Sequence, residues 1–366
     1  MKKSLIITTI GGFVSRFEMD DVHIMQQLGY EVHYASNFEN RIYEFDENEY
    51  IDNGIILHQV EIDKNPYNIV ALNRSLKEII RIIKEEKIEL IHCHTPVGGV
   101  LGRLAGKKTG CKVIYTAHGF HFYTGAPIKN WLIYYPVEKA LAKYTDCLIT
   151  INHADFEMAK KMHVKDYAQI PGVGINLKKF APRKGYKRDD NCFRIVSVGE
   201  LNRNKNHRVV IKAIKQLNDK NIQYYIYGKG KAKAELENLI TENQLENQVH
   251  LCGYVNDTRE VLKDADCFVF PSVREGLGMA ALEAMACGVP LIVGDNRGTR
   301  EYVNHGDNAF ACDPDDVDSF AYYIKKIKDN PDLTEIMVEK GIKKVQWFSK
   351  EHTNLIMNQV YREIGL

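Results

Sequence analysis

Short apolar runs alternate with helical patterns along most of this 366-residue sequence, and the alternation limits the folds open to it. Continuous apolar runs are typical of strands covered on both faces, and strands interleaved with helices are typical of a parallel sheet. The sequence therefore predicts the α/β class. In the first half the predicted strands are Leu5–Thr8, Val32–Ser36, Ile55–Val60, Leu90–Cys93, Val113–Ala117 and Cys147–Ile151. The predicted helices there are Arg16–Gln27, Ile69–Glu86, Gly98–Thr109, Ile128–Lys143 and Ala154–Lys161.

The alternation stops near Ile170 and then begins again, which divides the chain into two parts. Residues 171–190, PGVGINLKKFAPRKGYKRDD, mix glycine, proline and charge without a sustained period and are typical of a hinge or linker. We therefore predict two doubly wound, Rossmann-like domains, residues 1–170 and residues 171–349. The predicted strands of the second part are Phe193–Val198, Tyr224–Tyr227, Val249–Cys252, Cys267–Phe270, Pro290–Val293 and Ala309–Cys312. Its predicted helices are Arg208–Leu217, Ala232–Asn243, Val261–Ala265, Met279–Ala286, Val317–Asp329 and Leu333–Gln346, with a last helix at Glu351–Ile364.

Composition excludes several classes of protein. A formal net charge of +1 argues against a nucleic-acid binder, which needs a basic excess or stripe. We interpret the opening MKKSLIITTIGG as a first strand rather than a signal peptide. The sequence contains no apolar run of 18 residues, so we predict no membrane-spanning helix. The eight cysteines form no C-x-x-C pair and mostly lie in apolar runs, which favours a reducing, cytoplasmic setting.

The stretch from Pro271 to Pro290, PSVREGLGMAALEAMACGVP, follows a predicted buried strand and predicts a loop and then a helix. Unpaired backbone N–H groups at Leu277, Gly278 and Met279 would begin that helix, where they and the helix dipole favour an anion such as phosphate. Gly276 and Gly278 lack side chains that would block a close ligand.

Two glutamates frame this predicted anion site. Glu275 lies in the loop at its mouth, and Glu283 lies about two helical turns further on, where a carboxylate can accept hydrogen bonds from a ribose diol. On spacing alone, a plain buried helix whose Glu283 pairs with a lysine or arginine is an equally good interpretation.

The wording E-G-L-G-M-A-A-L-E-A-M-A-C-G-V-P resembles the nucleotide-sugar motif of retaining glycosyltransferases of family four, in which seven residues separate two glutamates. The resemblance implies a GT-B fold, two Rossmann-like domains facing across a cleft that holds the active site. It also implies that the last helix, about residues 350–366, crosses back to the first domain. The implied reaction transfers a sugar from a nucleoside diphosphate sugar to an acceptor hydroxyl, with retention at the anomeric carbon, without a metal and without a cofactor.

The same resemblance suggests roles for residues in the second domain. Glu275 would hold the hydroxyls of the donor sugar, Glu283 the ribose, and Lys205 in VGELNRNKNHRVV the diphosphate. The family arginine five positions before that lysine is Glu200 here, so we expect Arg203 to supply the charge unless the lysine and the helix N–H groups suffice. A loop lysine at 205 and a structural acceptor at 200 are the ordinary alternatives.

Further binding residues are expected at the ends of other strands. Gly11 and Gly12 end the first strand and would border the donor sugar and phosphates, unless they only form a tight turn. His118 ends a strand and, by resemblance, would hydrogen-bond the donor sugar near the scissile bond. Gly228 would lie behind the nucleotide. The loop with Tyr254 and Val255 would meet the base edge, with ordinary rim surface as the alternative for the tyrosine.

Metal binding is disfavoured at every candidate cluster in the sequence. His92, Cys93, His94, His118 and His121 raise a zinc hypothesis, but strand alternation aligns only His92 and His94, and these residues can instead line the acceptor side. Two D-x-D patterns begin at Asp264 and Asp313, where turn and helix-start roles are sufficient. We therefore predict no metal site.

The resemblance implies a hexosyltransferase-type enzyme that uses a nucleotide sugar, with UDP the favoured nucleotide. The first half and its basic aromatic segment resemble enzymes that extend lipid-linked chains for capsule or exopolysaccharide, which implies a lipid-linked glycan acceptor. In that segment Trp131, Leu132, Tyr134 and Tyr135 lie between lysines and would suit an inner-membrane surface. A core-facing helix is the equal alternative for that segment. A UDP-GlcNAc 2-epimerase of the same architecture and a non-catalytic nucleotide-sugar-binding subunit are the alternative functions.

Overall fold

The computed structural model describes residues 1–40, 42–182 and 192–365. Positions 183–190 of the predicted linker and the last position of the predicted closing helix, residue 366, lie outside the described residues. The chain divides into two compact units, one formed by Met1–Gly174 with Glu351–Leu366 and the other by Ile175–Lys350. The observed divisions therefore lie at 174/175 and 350/351, beside the predicted 170/171 and 349/350.

The first unit is built on a seven-stranded parallel sheet in the order β3-β2-β1-β4-β5-β6-β7, among the residues described. That order reverses between β1 and β4, which is the switch point where ligands bind in such sheets. Its strands are β1 (Lys2–Ile7), β2 (Tyr30–Ser36), β3 (Ile55–Gln59), β4 (Leu90–His94), β5 (Lys112–Ala117), β6 (Cys147–Thr150) and β7 (Asp166–Gln169). Its helices include α1 (Met19–Gln27), α2 (Glu47–Asp52), α3 (Ile69–Glu86), α4 (Pro96–Thr109), α5 (Ile128–Ala142) and α6 (His153–Ala159).

The core of this unit lies between its sheet and the flanking helices. Helix α3 shows why the sequence folds this way: Asn68 caps its start by accepting a bond from the Ala71 N–H, and its apolar stripe contributes Ile79 and Ile83 to the core. Lys87 ends the helix in the left-handed conformation, with its N–H donating to the Ile83 carbonyl. Helix and sheet therefore bury one continuous apolar layer.

The second unit repeats the plan with a six-stranded parallel sheet in the order β10-β9-β8-β11-β12-β13, within the part of the chain described. Its switch point lies between β8 and β11. The strands are β8 (Phe193–Val198), β9 (Ile222–Tyr227), β10 (Val249–Gly253), β11 (Cys267–Phe270), β12 (Leu291–Gly294) and β13 (Phe310–Cys312). The helices are α7 (His207–Leu217), α8 (Lys233–Glu242), α9 (Arg259–Leu262), α10 (Met279–Ala286), α11 (Val317–Asp329) and α12 (Pro331–Val345).

The closing helix, α13 (Lys350–Gly365), belongs almost entirely to the first unit. Its Tyr361 is fully buried there, and the tyrosine hydroxyl donates to the Asp21 carboxylate at 3.0 Å. The same hydroxyl lies 2.7 Å from His92 Nδ1 on β4. A residue from the end of the sequence thus completes a polar network near its beginning.

Candidate functional site

Two charged residues flank the switch point of the second sheet. Lys205 lies in the loop after β8 and Glu275 in the loop after β11, and the Lys205 Nζ is 2.6 Å from the Glu275 Oε1. Their side chains are 21% and 13% exposed, and the lysine also lies over the Phe270 ring, 4.6 Å from its centre. The structure therefore brings together two residues that were predicted from separate motifs.

Helix α10 begins directly after this ion pair. Gly278 precedes its first residue in the left-handed conformation, with φ +95°, and a Cβ added there would lie 2.8 Å from a carbon of the Phe270 ring. Glycine is required on both counts. Within the described residues no side chain caps this helix start, which leaves its positive dipole end without a side-chain partner beside Lys205. Leu277 is buried, whereas Gly276 and Met279 are half-buried.

Glu283, two turns along α10, is held by a residue that the sequence did not single out. The Thr258 hydroxyl donates to the Glu283 Oε2 at 2.7 Å, and Thr258 follows the loop that carries Tyr254 and Val255. Val255 is half-buried and Tyr254 is 51% exposed, with the Lys229 ammonium 5.9 Å from its ring centre. The predicted ribose and base residues thus lie on connected segments.

Arg203 lies apart from the Lys205–Glu275 pair. Its side chain is 84% exposed and its Nε is 3.9 Å from the Glu235 carboxylate on α8. Glu200, where the resembling family carries arginine, is exposed. The substitution of Arg203 for that arginine stays a prediction.

Gly228 lets two loops of the second unit touch through their backbones. A Cβ added at this glycine would lie 1.8 Å from the Gly199 carbonyl oxygen, in the loop that leads to Lys205. Gly230 is equally confined, because its Cβ would lie 2.2 Å from the Leu201 carbonyl oxygen. The structure therefore gives the G-x-G pattern a packing role, whether or not a nucleotide lies nearby.

Tyr302 is a second residue near this site that the sequence did not indicate. It is fully buried, and its hydroxyl has no hydrogen-bond partner among the described residues. That oxygen would lie 3.1 Å from a Cβ added at Gly278. Burial, and then the charge of Glu275, raise the pKa of the tyrosine well above its usual value. Only the fold reveals this proximity, since nothing in the local sequence marks the tyrosine.

In the first unit, Gly11 and Gly12 lie in the loop after β1, at the switch point of that sheet. A Cβ added at Gly12 would lie 2.2 Å from the Glu44 carbonyl oxygen, so the segment after β2 packs directly on this loop. The hydroxyls of Tyr34 and Tyr50 each donate to the Gly11 carbonyl at 3.0 Å. Both glycines are buried, and the loop is held rigidly whether or not it borders a ligand.

His118 ends β5 and lies against a buried histidine and a buried carboxylate. Its Nε2 is 3.2 Å from the His94 Nδ1 and 3.4 Å from the Glu18 Oε1. Burial lowers the pKa of His118 to about 4 and that of His94 well below its usual value. Burial, followed by the charge of Asp21, raises the pKa of Glu18 well above its ordinary range. Glu18 was not predicted, because one glutamate in a helical pattern carries no signal.

A cavity of about 220 Å³ opens beside His118. His121 contributes to its wall and stacks on Tyr134, with ring centres 4.6 Å apart. Its wall combines apolar and aromatic side chains with a few polar groups, as in small-molecule sites, but the cavity is smaller than the roughly 300–1,000 Å³ typical of them. Its lining residues are Phe13, Thr95, Pro96, Tyr115, His118, Gly119, Phe120, His121, Phe122, Tyr134 and Glu138.

The four histidines of the zinc hypothesis do not converge on one point. His92 is committed elsewhere, since its Nε2 is 2.8 Å from the Thr116 hydroxyl and its Nδ1 contacts Tyr361. Burial lowers its pKa to about 3, which keeps the ring neutral. His121 stacks on Tyr134 instead of joining His94 and His118.

The two D-x-D patterns have local structural roles. The Asp266 carboxylate accepts a bond from the Arg194 N–H on β8 at 2.7 Å, and the Asp313 carboxylate accepts one from the Asp315 N–H at 2.9 Å. Asp316 caps α11 by accepting from the Ser319 N–H.

Helix α5 turns its aromatic residues to the core, while its exposed face remains apolar in places. Trp131, Tyr134 and Tyr135 pack against the buried cluster of the first unit. Ile128 and Leu132 are 77% and 72% exposed. Across the described residues, the helices are all too short or too polar to cross a bilayer.

Comparison with known proteins adds independent findings. The glycosyl transferases group 1 family matches residues 179–344, and the glycosyl transferase 4-like family matches residues 5–152. EpsD of Bacillus subtilis is 37% identical over 98% of this chain and 96% of its own length. The UDP-Gal:alpha-D-GlcNAc-diphosphoundecaprenol alpha-1,3-galactosyltransferase of Escherichia coli is 30% identical over 77% of each chain. HepE of Anabaena, crystallised with UDP, shares 17% identity with a TM-score of 0.80 over 99% of this chain and 100% of that one.

Proposed function

Because the chain belongs to the glycosyl transferases group 1 family, we propose that it is a retaining, hexosyltransferase-type enzyme that uses a UDP-sugar donor. Its acceptor is a hydroxyl of a lipid-linked glycan in capsule or exopolysaccharide synthesis. Family membership establishes a glycosyltransferase, whereas the donor, the acceptor and the stereochemistry are the parts that we propose.

The observation that carries the proposal is the Lys205–Glu275 ion pair at the start of α10. The ammonium group and the first N–H groups of the helix supply positive charge where the diphosphate would lie. Glu275 supplies an acceptor for sugar hydroxyls at the same point. Glu283, oriented by Thr258, supplies a second acceptor for the ribose diol.

Transfer breaks the bond between the anomeric carbon and the diphosphate oxygen, and a new bond joins that carbon to the acceptor oxygen. The departing oxygen gains negative charge, which Lys205 and the helix N–H groups stabilise more in the transition state than in the bound substrate. The acceptor hydroxyl gives its proton to the departing diphosphate, so the chain needs no separate general base. His118 hydrogen-bonds the donor sugar, and we propose that no divalent cation bridges the diphosphate.

Named ligands of similar proteins support the choice of substrates. HepE was crystallised with UDP. The name of the Escherichia coli relative specifies a UDP-sugar donor, a diphosphoundecaprenol-linked acceptor and an α linkage in its product. Transfer with retention from a UDP-sugar would give such a linkage. These parallels favour UDP over other nucleotides and a lipid-linked acceptor over a free sugar.

A lipid-linked acceptor implies work at a membrane surface, and we propose that the first unit rests on its cytoplasmic face. Exposed Ile128 and Leu132 on α5 lie close in sequence to the exposed Lys129 and Lys139. Apolar side chains beside lysines suit the boundary of an anionic bilayer.

A donor screen tests the reaction. Purified protein would be incubated with a panel of nucleotide sugars and a synthetic lipid-diphosphate-sugar acceptor, and nucleotide release would be measured. We expect one UDP-sugar to release UDP only when acceptor is present, and the product to keep the donor's anomeric configuration by NMR. An inverted product would refute retention, and release from GDP- or ADP-sugars alone would refute the choice of UDP.

The same screen addresses the alternative functions. The matched families are both families of glycosyl transferases, so the 2-epimerase interpretation has no support from them. Incubation with UDP-GlcNAc alone would release UDP and a new amino sugar in equal amounts if the epimerase interpretation held. UDP binding without any transfer would instead identify a binding subunit.

A further inference from the structure

In the first unit, one carboxylate oxygen of Glu18 lies close to one ring nitrogen each of His94 and His118. The Glu18 Oε1 is 3.6 Å from the His94 Nδ1 and 3.4 Å from the His118 Nε2, and the two nitrogens are 3.2 Å apart. The side chains of Glu18 and His94 are 7% and 0% exposed, so water does little to solvate them.

A π-helical turn, Val14–Glu18, places the carboxylate. It follows the Gly11-Gly12 loop, and Glu18 ends it immediately before α1. Such turns are rare and often occur at functional sites. Phe13, just before the turn, covers the group from one side: its ring centre is 5.7 Å from that of His94 and 5.3 Å from that of His118. The three ligand-type atoms therefore meet under an apolar cover.

Hydrogen bonding satisfies this arrangement only in part, although the Glu18 carboxyl also shares a hydrogen bond with Asp21. A single proton can form a hydrogen bond between the His94 Nδ1 and the His118 Nε2. That bond does not include the third atom, the Glu18 Oε1. Accordingly the Glu18 Oε1 has no hydrogen-bond partner within the described part of the chain. A buried polar atom without a hydrogen-bond partner is unfavourable, and more so when it carries charge. A single cation at the centre would satisfy all three atoms at once.

The distances identify the kind of cation. Tetrahedral Zn²⁺ with ligand bonds of about 2.0–2.1 Å holds its ligand atoms about 3.3–3.4 Å apart. The three observed separations of 3.2, 3.4 and 3.6 Å bracket that value. Two imidazoles and one carboxylate are a typical zinc donor set. We propose that Glu18, His94 and His118 bind one Zn²⁺, with a fourth position left for water or a substrate hydroxyl.

A second histidine–carboxylate group in the same unit provides the contrast. The His33 Nδ1 is 2.9 Å from the His58 Nε2, and the His33 Nε2 is 3.1 Å from the Glu31 carboxylate. Both nitrogens of His33 therefore have hydrogen-bond partners. The nearby Glu86 carboxylate pairs with the Lys3 ammonium at 3.3 Å. His33, His58 and Glu86 also lie close enough to hold a metal, but these hydrogen bonds and the ion pair already engage them, so the group serves as the control.

Bound at the Nε2 of His118, the ion would fix which nitrogen of that ring carries a proton. A histidine that binds metal through one nitrogen keeps its proton on the other and donates it to a neighbouring acceptor. The Nδ1 of His118 would then always carry a proton, and it could donate a hydrogen bond to the donor sugar of the proposed reaction. Zinc in this position would orient the histidine and would take no part in binding the diphosphate.

The test measures metal binding directly, without substrates, so it stands apart from the transferase assay. Full-length protein, stripped with a chelator and dialysed, would be titrated with Zn²⁺ alone and with Co²⁺ alone. We expect one tightly bound zinc per chain by elemental analysis, and a Co²⁺ visible spectrum of the tetrahedral type. X-ray absorption should count two imidazoles and one carboxylate. Failure of the wild-type chain to bind either metal would overturn the site.

Variants locate the ion. Glu18→Gln and His94→Gln keep the side-chain volume, remove one ligand each, and should weaken Zn²⁺ binding by more than about 100-fold. His58→Gln, in the contrasting group, should bind zinc like the wild type. Circular dichroism would show whether each variant is folded. If a variant is unfolded, the Co²⁺ and X-ray absorption spectra of the wild-type protein still test the site. Zinc that survives Glu18→Gln but is lost in His58→Gln would place the ion elsewhere and refute the proposal.

Discussion

Lys205 and Glu275 lie seventy positions apart and neutralise each other at 2.6 Å in the second unit. An ion pair that is only 21% and 13% exposed holds both side chains in place before any ligand arrives. A diphosphate entering beside α10 would meet a lysine that is already oriented. The glutamate would then be partly released to accept bonds from sugar hydroxyls.

Replacing the lysine should separate catalysis from stability. We expect Lys205→Ala to lower kcat by about 10²–10³-fold, because the charge that forms on the departing diphosphate loses its nearest cation. The measurement is steady-state UDP release on the donor and acceptor found in the screen. The control is Lys212→Ala, an exposed lysine on the neighbouring α7, which should retain full turnover. Equal rates for Lys205→Ala and wild type would remove Lys205 from the mechanism.

Lys205, Glu275, Gly278 and Glu283 were predicted from sequence motifs, because each lies in a motif whose residue types suit the binding of a nucleotide sugar. Glu18 and Tyr302 could not be found in this way. Their partners come from β4, β5 and α10, far away in the sequence, and a lone glutamate or tyrosine in an ordinary pattern carries no sign of them. The proposed role of Arg203 stays a prediction, because its side chain is 84% exposed and the structure gives it only a 3.9 Å ion pair with Glu235.

Helix α10 depends on one backbone conformation at its start. Gly278→Ala should lower the free energy of unfolding by roughly 1–3 kcal/mol, because φ +95° strains an alanine and the added Cβ meets the Phe270 ring. Calorimetric UDP affinity should fall as well, since relief of the clash would move the helix start. Gly306→Ala is the matched control: its φ is +78° with nothing within 4 Å of the added Cβ. This variant should lose only the stability that the backbone strain costs, and its UDP affinity should be unchanged.

A buried ion pair joins α4 to α5. The Arg103 Nη1 lies 2.7 Å from the Glu138 carboxylate, and their side chains are 1% and 9% exposed. Arg103→Met should cost about 3–5 kcal/mol in chemical denaturation, because it leaves the glutamate charge buried without its cation. Arg81→Met, in exposed pairs with Glu78 and Glu85, should cost less than about 1 kcal/mol. Similar losses in the two variants would contradict this account.

Most strands and helices were predictable because burial on both faces leaves continuous apolar runs. The elements that were missed lack that signal. Strand β7 has the sequence DYAQ and no buried residue, since it lies at the edge of its sheet. Helix α2 has six residues, of which Tyr50 alone is buried. The predicted helix Arg16–Gln27 is interrupted by the π-helical turn, whose extra residue leaves no trace in the apolar spacing.

The predicted fold class is confirmed: the chain has two Rossmann-like parallel-sheet units of the GT-B kind. The alternation of strand and helix, broken once near Ile170, predicted two doubly wound units, and the resemblance of the Pro271–Pro290 motif implied the GT-B fold. Each sheet reverses its strand order once, and the loops at those reversals carry Gly11 and Gly12 in the first unit and Lys205 and Glu275 in the second. Other candidate residues, among them His118 and Gly228, follow neighbouring strands. Sequence reasoning can predict that edge, but the side chains that meet there depend on three-dimensional packing.

Tyr361 joins the last helix to the first unit, and removing its hydroxyl should weaken that unit. Tyr361→Phe removes one hydrogen-bond partner from the Asp21 carboxyl and one from the His92 Nδ1, so we expect a loss of about 1–3 kcal/mol. Hydrogen exchange should show faster opening of β1 and β4 and unchanged protection of β8 and β11. Tyr322→Phe, at a 59% exposed tyrosine, is the control and should leave both unchanged. A uniform change across both sheets would argue against this linkage.

The return of α13 to the first unit has a consequence for biosynthesis. A ribosome releases the segments of that unit early, yet Tyr361 emerges only after all of Ile175–Lys350 has been made. The second unit is continuous in sequence and can therefore fold as soon as it has been synthesised. The first unit cannot complete its fold until then, because Asp21 and His92 lack their contacts with Tyr361. Cotranslational quality control would encounter this enzyme with its earliest part finished last.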